Sequence, residues 1–147
     1  MRMEQGTWVL VADGEKFLLL RNAGNRARIA LEVIERGAAE NPPTREQGTD
    51  RPGRLDNAAA GPSAVQETDW HRLEKERFAR DLADRLERWA LAGRYEALVL
   101  VADPRTLGVL RPELHKAVQE RLLAEVDKDL TGMPVGEIEA ALAAAGQ

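Results

Sequence analysis

The sequence holds no cysteine, two histidines (His71 and His115) and a single serine, Ser63. Without cysteine there is no disulfide framework, thiol nucleophile, iron–sulfur cluster or thiolate zinc site. Two histidines are too few for a His-rich metal centre, so no cofactor is expected. Ser63 lies in Gly61-Pro62-Ser63-Ala64, outside any Gly-x-Ser-x-Gly elbow. No G-x-G-x-x-G or Walker pattern is present, so no phosphate-cradling loop is expected. An excess of positive charge is missing as well. Lys and Arg number 21 against 25 Asp and Glu, a formal net charge of −4, so a broadly basic nucleic-acid surface is not expected. Long apolar runs are also lacking. The stretch Thr7 to Ala12 falls far short of the roughly 20 residues of a membrane span, and of a signal h-region. The expectation is a cytoplasmic protein with no membrane partner.

What remains is 147 residues, 44% hydrophobic and 31% charged. That is one globular domain over 1–147, large enough to bury a core without covalent staples. Thr7-Trp8-Val9-Leu10-Val11-Ala12 is β-branched and aromatic and ends at the turn dipeptide Asp13-Gly14, so it reads as a strand entering a tight hairpin. Glu15 to Arg21 follows as a second strand. A turn at Asn22 to Asn25 has Gly24 free to take positive φ. Arg28 to Ile34 alternates, with Ile29, Leu31 and Val33 on one side, and completes an antiparallel meander.

Between Gly37 and Pro62 stand four glycines and four prolines, with Leu55 the one large aliphatic residue. This predicts a long mobile loop over about 37–66, functional or disordered. Thr68 or Asp69 can cap a helix over about 69–92. Phe78, Leu82, Leu86 and Trp89 form its apolar stripe, Gly93 is a C′ glycine, and Glu76–Arg80, Asp81–Arg85 and Asp84–Arg88 are spaced for i,i+4 pairs. Ala97 to Ala102 is a continuous apolar run suited to a strand buried on both faces. Asp103-Pro104 caps and opens a short helix, and Pro112 restarts one to about Glu120. Leu122 to Asp127 fits helix and strand periods alike, and strand is preferred. Pro134 opens a last helix to about Ala144. The order βββ–loop–α–β–α–β–α implies an α/β fold: a mixed five-stranded sheet, order 3-2-1-4-5, flanked by helices in the ribonuclease-H-like manner.

Val9-Leu10-Val11-Ala12-Asp13 recurs as Val99-Leu100-Val101-Ala102-Asp103. In that order the two strands are parallel neighbours, which brings Asp13 and Asp103 together at the carboxyl edge, where open α/β sheets bind ligands. With Asp127 at the end of the fifth strand, three carboxylates could hold Mg²⁺ for phosphodiester cleavage. The plainer reading is a turn residue and a helix cap. Lys75, Arg77 and Arg80 form either a local basic patch or, with Glu74, Glu76 and Asp81 among them, a solvated face. Trp70 is either an interface anchor or a staple for the loop. The histidines read as surface or packing residues.

The stretch from Glu67 to Ala83, together with Leu98 to Arg111, Glu125 to Pro134 and Trp8 to Asp13, resembles the bacterial family of proteins required for attachment to host cells. That family in turn resembles the middle domain of archaeal and eukaryotic class-1 peptide-chain release factors. In those domains a mobile loop precedes a long helix with an Arg-Phe-Ala-Arg-like stretch, here Arg77-Phe78-Ala79-Arg80. Their loop carries Gly-Gly-Gln, which reaches the peptidyl-tRNA ester. Here Gly61-Pro62-Ser63-Ala64-Val65-Gln66 stands in the comparable place without the glycine pair. The resemblance implies a non-enzymatic translation module whose loop and helix, through Gln66, Trp70, Lys75, Arg77 and Arg80, contact ribosome, structured RNA or a protein. The alternative is a metal-dependent phosphodiesterase or ester hydrolase using Asp13, Asp103 and Asp127.

Overall fold

The computed structural model describes residues 1–39 and 61–145, the side chains of 61–68 excepted. Strand β1 (Trp8–Ala12) pairs antiparallel with β2 (Lys16–Asn22), which pairs with β3 (Leu31–Ala38). Helix α1 (Gly61–Leu91) leads to β4 (Leu98–Ala102). Then come α2 (Pro104–Leu110), a 3₁₀ turn (Arg111–Glu113), α3 (Lys116–Gln119), β5 (Leu122–Asp127) and α4 (Val135–Ala144). The five strands form one sheet in the order β3-β2-β1-β4-β5, with β1–β4 and β4–β5 parallel. This is the α/β architecture that the element order predicts, including the strand reading of Leu122 to Asp127.

Strands β1 and β4 are buried along their whole length. Alternation sorts their side chains between two cores. Trp8, Leu10, Leu98 and Leu100 face the layer built by α1, α2 and α3, whose contributions include Phe78, Leu82, Leu86, Leu107 and Val118. Val9, Val11, Val99 and Val101 face the opposite layer, where α4 supplies Ile138 and Leu142 and the N-terminal segment supplies Met3. In the first core Trp8 stacks on Tyr95 at 4.8 Å and meets Trp89 edge-on at 5.5 Å. Burial pushes the Tyr95 phenol up to about 12, with Arg121 opposing the rise, and its hydroxyl donates to Leu86 O at 2.9 Å.

The helix expected from Pro112 to about Glu120 is broken into the 3₁₀ turn, an extended Leu114 and the short α3 capped by His115. Local expectations are corrected at three further places. First, β3 begins at Leu31, not Arg28, and runs on through Gly37 and Ala38. Residues before it belong to a turn organised by Asn22, which is fully buried. Its Oδ1 accepts from Gly24 N and Ala30 N, and its Nδ2 donates to Met3 O and Glu4 O. A register shift opposite Leu19/Leu20 leaves Ile34 as an extra residue and breaks the expected alternation. Second, Gly24 does not take positive φ; Gly6 and Gly93 do. Gly24 is needed for space instead, since a Cβ there would collide with Arg28 O. Third, α1 starts at Gly61, so 61–66 is helix and not loop. Pro62 at the first turn is preorganised for helix, where its missing N–H costs nothing. The rest of the expected loop, 40–60, lies outside the described residues. At the other end Gly93 takes φ 72° and closes α1 as expected, with Arg94 N donating to Trp89 O.

Candidate functional site

The repeated pentapeptides lie side by side in register, Val9 opposite Val99 through Ala12 opposite Ala102. Asp13 and Asp103 therefore leave adjacent strands together at the carboxyl edge. They flank a cleft of about 250 Å³ with Phe78, Leu82 and Leu110 on its apolar side and Lys75 and Asp129 at its rim. The aliphatic stem of Lys75 crosses the β1–β2 turn so closely that a Cβ on Gly14 would lie 2.9 Å from it.

Both carboxylates are committed to the backbone. Asp13 Oδ1 accepts from Glu15 N at 2.7 Å and Lys16 N at 2.8 Å, which closes the hairpin. Asp103 caps α2: its oxygens accept from Thr106 Oγ1 at 2.6 Å and Thr106 N at 3.2 Å. Burial alone would raise the Asp103 carboxyl, but the bonds from Thr106 and neighbouring amides outweigh it and hold the group below the usual carboxylate range.

Asp127 ends β5 opposite Ala102, exposed and outside the cleft lining. Asp129 takes the place expected of it. Thr131 Oγ1 lies 2.7 Å from Asp129 Oδ1 and 3.1 Å from Asp13 Oδ2, one hydroxyl proton between two carboxylates. No sequence signal marks this arrangement, which rests on Leu130, buried between Asp129 and Thr131. Among the described residues no group of three His, Cys, Asp or Glu is placed to hold a metal ion.

The residues expected to meet a partner divide between two sides of α1. At about 100° per residue, Lys75 shares the inward side with Ala79 and Leu82, while Arg77 and Arg80 face away from the core. Arg77 Nη1 lies 3.2 Å from Glu74 Oε1, and Arg80 is exposed with no ion pair among the described residues. Trp70 is 43% exposed and Leu73 48%. The side chain of Gln66 lies outside the described residues; its backbone is in the second turn of α1. None of the three i,i+4 pairs expected on this helix forms among the described residues. Arg85 reaches across to Glu35 at 2.9 Å, and the pairs within α1 among the described residues are i,i+3. His115 has two contacts that sequence neighbours do not reveal. Its Nδ1 accepts from Ala117 N to cap α3, and its Nε2 lies 3.6 Å from Glu87 on α1.

No described helix is long and apolar enough to cross a membrane. No curated protein matches the sequence. The family model of bacterial archaeo-eukaryotic release factor family 12 matches residues 6–142, from just before β1 into the last turn of α4. With the whole sheet and the long helix inside the matched span, the chain belongs to the bacterial archaeo-eukaryotic release factor family 12.

Proposed function

We propose that this protein is a non-enzymatic, translation-related binding module, a release-factor-like domain that engages the ribosome or structured RNA in the cytoplasm without ester hydrolysis. The observation that carries this reading is a release-factor family match over residues 6–142 in a sequence that has no Gly-Gly-Gln. Gly61 and Gln66, which stand where that tripeptide belongs by resemblance, are in α1. The partner surface is the outward side of α1, with Trp70 as its apolar anchor and Arg77 and Arg80 as its cations. Lys75 extends the surface toward the cleft, and Gln66 toward the helix start. The net charge of −4 favours local, shape-dependent contact over nonspecific phosphate binding. The finer likeness to proteins required for attachment to host cells fits an indirect role, through synthesis of what does attach.

Affinity capture from native lysate, with and without nuclease, tests this. Ribosomal subunits should be recovered with the native chain, and R77E/R80E should lower recovery several-fold while circular dichroism stays unchanged. Equal recovery with native and charge-reversed chains would sink the reading. A second reading, phosphodiester or ester hydrolysis at the carboxyl-edge cleft, is favoured by the adjacency of Asp13 and Asp103 and opposed by their backbone commitments. Calorimetric titration with Mg²⁺ separates the two. The binding-module reading expects no saturation at millimolar metal, whereas saturation abolished by Asp103→Asn would turn the cleft into a metal site.

A further inference from the structure

Outside the face that α1 packs on the sheet, a second periodicity runs along the helix. Trp70, Leu73, Arg77, Arg80, Asp84, Glu87 and Leu91 are spaced alternately three and four residues apart. That spacing keeps them on one seam, in the manner of a coiled-coil a/d stripe. At about 100° per residue, the seam points away from Leu82 and Leu86, which are buried in the first core. It is open. Leu73 is 48% and Leu91 65% exposed, and Arg77, Arg80 and Asp84 are exposed. Among the described residues Arg80 and Asp84 have no ion pair. Arg77 has Glu74 at 3.2 Å, and the half-buried Glu87 has His115 Nε2 at 3.6 Å.

From Leu73 to Leu91, with Trp70 lying beyond the paired stretch, the order of chemistry along this seam is apolar, cation, cation, anion, anion, apolar. Reversed end for end, it is its own complement. We propose that α1 pairs antiparallel with α1 of a second copy of this chain, about a two-fold axis at the level of Leu82. In that register Leu73 meets Leu91 of the second copy, Arg77 meets Glu87, and Arg80 meets Asp84. Each contact occurs twice, as an isologous interface requires. In heptad terms every pair joins an a position to a d position, the layering of antiparallel helix pairs. A parallel pair in register would set Arg77 on Arg77 and Asp84 on Asp84, so charge selects the antiparallel arrangement. Because the centre of the seam is ionic and rimmed by water, the pairing is weak and salt-sensitive. It also covers Arg77 and Arg80, so the self-paired form and the partner-bound form exclude each other.

Sedimentation equilibrium on the full chain, in low salt and free of nucleic acid, tests the pairing. The native chain should show a monomer–dimer equilibrium that shifts toward monomer as salt is raised. R77E/R80E makes the centre wholly acidic and D84R/E87R makes it wholly basic. Each alone should dissociate at least about tenfold more readily, and an equimolar mixture should recover the native dimer fraction. The mixture guards against a variant that merely folds badly, because a misfolded chain would not be rescued. A native chain that stays monomeric at millimolar concentration would overturn the proposal. So would variants that dimerise as the native chain does, or a mixture that fails to pair. D84R/E87R leaves Arg77 and Arg80 in place, so loss of the dimer and loss of partner capture can be told apart.

Discussion

At the scale of single residues, short polar side chains do most of the positioning. Asn22 spends its whole amide on four backbone groups, which is how a fully buried polar residue avoids an unmet desolvation cost. Asp13 and Asp103 have the same sequence context, yet one folds a hairpin and the other caps a helix. Their repeat was legible in the sequence and so was their adjacency; the roles of Asp129 and Thr131 were not, because they depend on a turn held by one buried leucine. The depressed Asp103 carboxyl carries a pH signature. Stability that comes from its ionised cap is fully present above its unfolded-state value and is lost as pH falls through the lower folded value. Asp103→Ala should therefore cost about 1 kcal/mol at neutral pH, and the gap should shrink in acid. Urea denaturation of both chains at neutral pH and near pH 3 reads the difference.

At the scale of elements, α1 shows where sequence reading works and where it stops. Its apolar stripe and its glycine stop follow from helical period and from the left-handed backbone at Gly93, φ 72°. Gly93→Ala should cost about 1 kcal/mol by forcing a Cβ into that conformation, measurable as a lower urea midpoint with an unchanged slope. The start lies earlier than composition suggests, because Gly61 and Pro62 count as breakers by composition while a proline in a first turn is a helix opener. Strand β3 was displaced for a different reason. An alternating run such as Ile29, Leu31 and Val33 gives the period but not the register, and Asn22 and the extra residue at Ile34 set the register. Of the expected i,i+4 ion pairs, Asp81–Arg85 gives way because Arg85 has a partner on another element, Glu35, whereas Arg80 and Asp84 have no ion pair among the described residues.

At the scale of the whole molecule, one sheet serves two cores, and neither layer has a hydrophobic face that survives without the strands. Both should therefore unfold together. Ile138 is fully buried in the layer opposite the tryptophans. Ile138→Ala should remove about 2–5 kcal/mol and shift the fluorescence of Trp8 and Trp89 and the circular dichroism by the same amount. Two separated transitions would contradict a shared sheet. Strand order was readable in advance because three consecutive strands followed by βα units leave few ways to fold without crossing connections. The function was less readable: the sequence exposes which groups are present, while the sides they occupy depend on how α1 is rotated against the sheet.

The twin pentapeptides have one more implication. The central strand β1 and its neighbour β4 share the run from Val to Asp and differ in what precedes it, Trp8 in one and Leu98 in the other. The ladders differ, since β1 has an antiparallel neighbour and β4 has parallel ones on both sides, but the pentamers themselves do not tell the chain which belongs at the centre. That choice falls to the stacking of Trp8 on Tyr95 and to connections that differ in length. During refolding in a crowded solution, the homologous segment of another molecule is an equally well-matched guest, and strand exchange is the characteristic error of such a design.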